Sequence, residues 1–293
     1  MYNFKLIDTD NSLNELIHYL KENKLLSIAM DFEGEFNLHI YGEHLCLIQL
    51  FDTEDFYIID PFKISDEMLK LFLEDTDIEK IMFSCDSDAA LVKKQFDIQM
   101  KNIFDVRILA LELGFEKGYG ALVEHYLDIN IGDKASKKKN QMTNWLTRPL
   151  KESQIQYALE DVAYLHKLKE VLLDEAKNEN ILKVAMRKMT IAGQITKPFK
   201  PGWTKITNWK RLSKEQKVFL KHFFIARDIV ARKINLPAVR VLEKRKLVDL
   251  LSCYNDEAKF KSTIKNRDYK IERMLYPLMN KAIEDAKKEL KSI

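Results

Sequence analysis

Between Leu26 and Asp60 the chain sets three apolar β-type runs in close succession, "LSIAMDFE", "HLCLIQLF" and "FYIID", parted by polar turns and Gly42. A fourth, "KIMFS" (80–84), follows. Helical periodicity lies around and after them, in "NSLNELIHYLKEN", "SDEMLKLFLED", "DAALVKKQF", "DVRILALELG" and "GALVEHYL". Asn11 or Ser12 and Ser65 are expected to cap the first two of these helices, and Gly114 to close the fourth. Three clustered strands followed by strand–helix alternation predict an α/β fold, a mixed sheet with flanking helices.

The segment "SQIQYALEDVAYLHKLKEVLLDEAKNE" (153–179) reads as one long helix. Ser153 and Gln156 have capping-box spacing, and Ile155, Ala158, Leu159, Val162 and Leu165 form its apolar stripe. After residue 190, "GQITKPFKPGWTKITNW" concentrates Gly, Pro and Thr, which marks a linker. From Leu212 the pattern is helical, with breaks expected at Pro237, around "SCYND" and at Pro277. The expected division is a first domain over 1–180, a linker over 181–207 and a helical domain over 208–293.

The chain has 293 residues and is 46% apolar, enough for two domains with cores of their own. Its net charge of +3 hides a division. Residues 1–180 carry 20 Lys and Arg against 34 Asp and Glu, a net of −14; residues 181–293 carry 28 against 11, a net of +17. Such a split points to one part that attracts a polyanion and another whose acidic groups must be offset. Cys46, Cys85 and Cys253 include no CxxC pair, which favours reduced thiols and a cytoplasmic setting. The first residues lack a signal-peptide layout, and no apolar run approaches the roughly 20 residues that span a bilayer, so no membrane association is expected.

Chemistry is suggested by carboxylates. Asp31 and Glu33 lie two apart on a strand and share a face; Tyr157 and Asp161 lie four apart on a helix and do the same. Asp86 and Asp88 open a helix directly after an apolar strand. Oxygen-only clusters of this kind suit Mg²⁺ or Mn²⁺, and two such ions about 4 Å apart can promote phosphodiester hydrolysis. Each feature also has an ordinary explanation: an acidic turn, a helix cap or a packing tyrosine.

The order Asp-x-Glu, Asp at a helix start, then Tyr-x-x-x-Asp resembles the tyrosine subgroup of the DEDD 3′–5′ exonucleases. "NWLTRPLKESQIQYALEDVAYLHKL" (144–168), "YGALVEHYLDINIGDKASKKK" and "LCLIQLFDTEDFYIIDP" (45–61) are similar to blocks of the ribonuclease D family, in sequential order over about 4–176. The resemblance implies a ribonuclease H-like mixed sheet. It also implies two divalent ions, Mg²⁺ or Mn²⁺, held by Asp31, Glu33, Asp88 and Asp161, with Tyr157 orienting or helping to deprotonate the attacking water. Asp88 is preferred to Asp86 because Leu91 and Val92 keep the family's spacing. The run Asp31-Phe32-Glu33-Gly34-Glu35-Phe36 departs from the family pattern by an apparent extra residue before Tyr41, for which a bulge at Gly34 would compensate.

Further along, "RDIVARKINLPAVRVLEKRKLVDL" resembles an HRDC domain, a small all-α nucleic-acid-binding module; ribonuclease D proteins usually carry two, and one copy is expected here. Lys134, Lys137, Lys138, Lys139 and Arg148 are candidate contacts to the nucleic acid near the site, Arg227 and Arg232 in the helical part. Arg148-Pro149 also has a structural reading. The implied partner is the 3′ end of single-stranded RNA, tRNA precursors foremost, with nucleoside 5′-monophosphates released. The alternatives are a Werner-type DNA exonuclease and an inactive nucleic-acid-binding protein. A GxxxxGK loop and HExxH are absent, and Gly118-Tyr119-Gly120 lacks the third glycine of a dinucleotide fingerprint.

Overall fold

The computed structural model describes residues 2–131, 140–176, 179–193 and 200–292. The chain forms two compact units, Met1–Glu35 with Glu43–Thr196, and Phe36–Gly42 with Lys197–Ile293.

In the first unit the strands are β1 (Phe4–Ile7), β2 (Ser27–Phe36), β3 (Glu43–Phe51), β4 (Phe56–Ile59), β5 (Glu79–Met82) and β6 (Ile103–Asp105). Their order in the sheet is β1-β4-β3-β2-β5-β6. β1 pairs parallel to β4, β4 antiparallel to β3, and β5 parallel to both β2 and β6, so the sheet is mixed as the sequence predicts. β1 and β6, of four and three residues, were not anticipated; their pairing partners lie in distant segments.

The first helices are α1 (Asp10–Glu22), α2 (Asp66–Leu73), α3 (Asp86–Phe96), α4 (Val106–Glu112) and α5 (Tyr119–Leu127). α1 starts earlier than expected, capped by Thr9, with Ser12 at the third helical position returning a bond to the Thr9 amide. Ser65 caps α2, and Gly114, at φ 87°, stands just past Leu113, the C-cap of α4, and closes that helix as expected.

The sheet's two faces are set by alternation along β2. Ile28, Met30 and Phe32 join a core with Leu13, Leu16, Leu20, Leu69 and Phe72 from α1 and α2. Each such buried side chain contributes about 1.5–3 kcal/mol. Ala29, Asp31 and Glu33 point to the other face.

That other face is covered by α6 (Glu152–Ala163), α7 (Leu165–Glu175) and α8 (Glu179–Gly193), with α4 and α5. The long helix expected over 153–179 is thus two, parted at Tyr164 (φ −112°, ψ 1°). Its cap also differs. Lys151 is the N-cap, and the Gln154 side chain accepts from the Lys151 amide at 3.0 Å. Gln156 instead exchanges two bonds with the Tyr2 backbone, at 2.6 and 2.9 Å. α8 occupies part of the expected linker, since Ala185 and Met189 are buried in the first unit's core.

Arg148 fixes the approach to α6. Its guanidinium donates to both Asp60 oxygens (2.8 and 3.0 Å) and to the carbonyls of Cys46, Trp145 and Thr147 (2.6, 2.8 and 3.1 Å). It also lies 4.9 Å over the Phe62 ring. With its donors committed, Arg148 departs from the expected nucleic-acid contact and serves the alternative structural reading.

The second unit is α-helical: α9 (Lys214–Lys233), α10 (Ala238–Val241), α11 (Lys244–Asp249), α12 (Glu257–Ile264) and α13 (Tyr269–Lys291). Phe219, Phe223 and Val230 of α9 share a core with Leu275, Met279, Ala282 and Ala286 of α13. Pro237 caps α10, but α13 runs through Pro277 without the expected break, because the core along its apolar face outweighs one lost backbone bond. Arg227 is a second correction. It is 2% exposed, donates to Asp228 Oδ1 at 2.8 and 2.9 Å and stacks on Phe224 at 4.3 Å, so it is closed to phosphate. Arg232 is exposed, 5.6 Å over the ring of Tyr41, whose hydroxyl donates to Asp228 at 3.4 Å.

Arg148→Ala strands Asp60, which is only 6% exposed, without its cation. The expected cost is about 2–4 kcal/mol in urea unfolding, with no rescue by Lys, which cannot reproduce the planar fork. A loss below 0.5 kcal/mol (roughly the level of a surface pair) would refute the staple.

Candidate active site

Three elements of the first unit carry the site. β2 presents Asp31 and Glu33 on the face opposite Met30 and Phe32. α6 brings Tyr157 and Asp161 to that face. The face of α6 that holds them is also turned inward, and Tyr157 shares a cluster with Trp145, Ala158 and Leu159, its ring centroid 6.3 Å from that of Trp145. One carboxylate oxygen from each of Asp31, Glu33 and Asp161 lies within 4.8 Å of the others.

Asp88 enters from the first turn of α3. Helix phase separates it from its rival: Asp88 is buried, whereas Asp86 is exposed. It lies outside the three-residue convergence but close enough that its charge raises the carboxyl pKa values of both Asp31 and Glu33. Its helix start is held by Asp105, which accepts from the amides of Ser84 (3.0 Å), Cys85 (2.9 Å) and Arg107 (2.9 Å).

The electrostatics are those of crowded, poorly hydrated anions. Burial comes first in raising Asp31, followed by Asp88, Asp161 and Glu33. Glu33 rises through burial, then Asp161 and Asp88. Asp88 is pushed up to about 7 by burial and the Asp105 charge. Tyr157 is raised by burial and by the charges of Asp161 and Glu33, and it hydrogen-bonds Asp161 and Gln141. Facing these carboxylates, the Tyr157 phenol keeps its proton and acts as a donor.

Two residues at the site escaped the sequence reading. Gln49 of β3 donates to Asp31 Oδ2 at 2.8 Å, and the half-buried Tyr119 of α5 is raised by burial and the charges of Asp161 and Asp31. Gln49 sits in an apolar strand and Tyr119 between two glycines, and neither position carries a signal for it. The expected phosphate contacts Lys134, Lys137, Lys138 and Lys139 lie outside the described residues.

The donor set fits hard divalent cations: carboxylate oxygens only, converging, and unfavourable to ionise together until positive charge is supplied. Bound there, such ions would supply Lewis-acid activation of water and of a phosphoryl oxygen.

An unfolded Asp titrates near 3.9, about three units below folded Asp88. Between those values the folded chain holds a proton that the unfolded chain has released, so rising pH lowers stability over this window. Asp88→Asn removes that penalty. Without divalent ions, its stability advantage should grow from near zero at pH 4 to a few kcal/mol above pH 7, and millimolar Mn²⁺ should narrow it. Melting curves across this range check it; a flat difference contradicts it.

A family profile described as 3′-5′ exonuclease matches residues 4–177. Ribonuclease D of Haemophilus influenzae is 31% identical over 175 residues, covering 59% of this chain and 42% of that protein. Ribonuclease D of Escherichia coli is 30% identical over 220 residues, covering 73% and 56%. The chain therefore spans about half the length of these curated relatives. The crystal structure of Escherichia coli RNase D superposes with a TM-score of 0.75 at 28% identity, over 96% of this chain and 75% of that one. On this match, and with acids of a strand and a helix far apart in sequence meeting at one site, the chain belongs to the 3′–5′ exonuclease family, and its first unit is ribonuclease D-like.

Proposed function

We propose that this protein is a metal-dependent 3′–5′ exoribonuclease that shortens single-stranded RNA 3′ ends and releases nucleoside 5′-monophosphates. The observation that carries the reading is the convergence of Asp31, Glu33 and Asp161 within 4.8 Å, beside the hydrogen-bonded phenol of Tyr157. With Asp88, these acids would hold two Mg²⁺ or Mn²⁺ ions, and the Tyr157 hydroxyl orients the attacking water beside them. RNA is favoured over DNA because the similar Escherichia coli protein is described as an exoribonuclease involved in structured RNA processing. The 3′ trailers of tRNA precursors are the proposed substrates. Three buried, free thiols support a reducing cytoplasmic setting.

The helical unit is proposed as a single HRDC-like nucleic-acid grip, over about residues 208–293. Its net positive charge supports phosphate binding, with exposed Arg232 as a contact.

With 5′-labelled oligonucleotides and Mg²⁺ or Mn²⁺, RNA should shorten stepwise, and EDTA should stop it. Asp31→Ala or Asp161→Ala should lower the rate by at least about 10³-fold, and Tyr157→Phe by roughly 10²-fold. Equal degradation of DNA would replace the substrate proposal with the Werner-type alternative; full activity of Asp161→Ala would remove the site assignment.

Binding separates the two arginines. Arg232→Ala should reduce the slope of log affinity against log salt by about 0.7, the share of one single-strand phosphate contact. Arg227→Ala should instead lower the melting temperature, since it opens a buried ion pair. An unchanged slope for Arg232→Ala would remove that residue from the binding account.

A further inference from the structure

Gln49 is fully buried in β3, and its two amide ends are treated very differently. Nε2 donates to Asp31 Oδ2 at 2.8 Å. Oε1 has no hydrogen-bond partner; among the described residues only Trp145 Nε1 shares that condition as a buried side-chain polar atom. A buried acceptor left unmade costs about 1–3 kcal/mol. An apolar side chain of the same length would avoid that cost, and the rest of β3 is largely apolar. The fold therefore keeps an amide at position 49 for its donor end.

In the ionised form of Asp31 that would hold a metal, this orientation is the only one that makes the bond. Turned over, the amide would place Oε1 against an ionised carboxylate oxygen, two acceptors with no proton between them. An ionised Asp31 thus accepts only the Nε2-inward amide. The bond also restrains the Asp31 carboxylate, which its like-charged neighbours would otherwise push aside.

We infer that Gln49 is a positioning residue: its amide holds the Asp31 carboxylate in its metal-binding orientation, so the ions do not have to order it. This rests on the proposed metal role of Asp31. Gln49 touches no substrate and acts through Asp31 alone.

The test compares the 293-residue chain with Gln49→Met and Gln49→Leu, two apolar side chains of similar size. Mn²⁺ dissociation constants come from titration calorimetry, and melting temperatures are measured in EDTA. Both variants are expected to melt at or above the parent temperature and to bind Mn²⁺ roughly tenfold more weakly, the effect of losing one charge-assisted hydrogen bond. A lower melting temperature with an unchanged dissociation constant would make Gln49 purely structural and overturn the inference, as would failure of both variants to fold. If one variant folds, its dissociation constant decides. If the parent protein itself binds no Mn²⁺, the metal reading fails first; if the parent binds and the variants bind equally, only the inference about Gln49 fails.

Discussion

Mutual repulsion among carboxylates on a single buried sheet face is the constraint around which the first unit is arranged. Asp31, Glu33 and Asp161 are brought within 4.8 Å, with the charge of Asp88 nearby, in surroundings that disfavour ionisation. Left to themselves such groups would separate or take up protons. They are held by elements whose positions are fixed elsewhere: β2 by the apolar core on its far side, α3 by Asp105 and α6 by its packing on β3 and β4. The site is thus pre-organised at a cost in stability, and positive charge is what relieves it.

Polar groups around the site serve this arrangement more than they contact solvent. Arg148 spends its donors on Asp60 and three carbonyls and so fixes the segment entering α6. Asp105 spends both its oxygens on backbone amides. Gln49 commits its donor to Asp31 while its acceptor goes unmade. In each case a charge or amide that looks available in the sequence is consumed in holding backbone or a carboxylate. The same holds in the helical unit, where Arg227 is closed off by Asp228 and Phe224.

The strands around the site were legible because apolar runs bounded by polar turns are a strong signal, and the two-residue period along β2 that buries Met30 and Phe32 sends Asp31 and Glu33 to the opposite face. The short strands β1 and β6 were not, since their pairing comes from neighbours distant in sequence. Capping was misread by a few positions at α1 and α6, because several polar residues there offer similar spacing and only the backbone path selects among them. The break at Tyr164 was hidden within continuous helical periodicity.

What the sequence determined by itself was local: which residues alternate, which recur at helical spacing, and that Asp31 with Glu33, and Tyr157 with Asp161, each share a face. Those relations depend only on backbone geometry within one element. Tertiary structure decided everything that needs two elements at once: that these pairs meet, that Asp88 rather than Asp86 turns inward, that Gln49 reaches Asp31, that the donors of Arg148 are committed and that Arg227 is enclosed. A side chain's burial and partners are set by chain segments tens to more than a hundred residues away, whose approach is the sum of packing over whole surfaces.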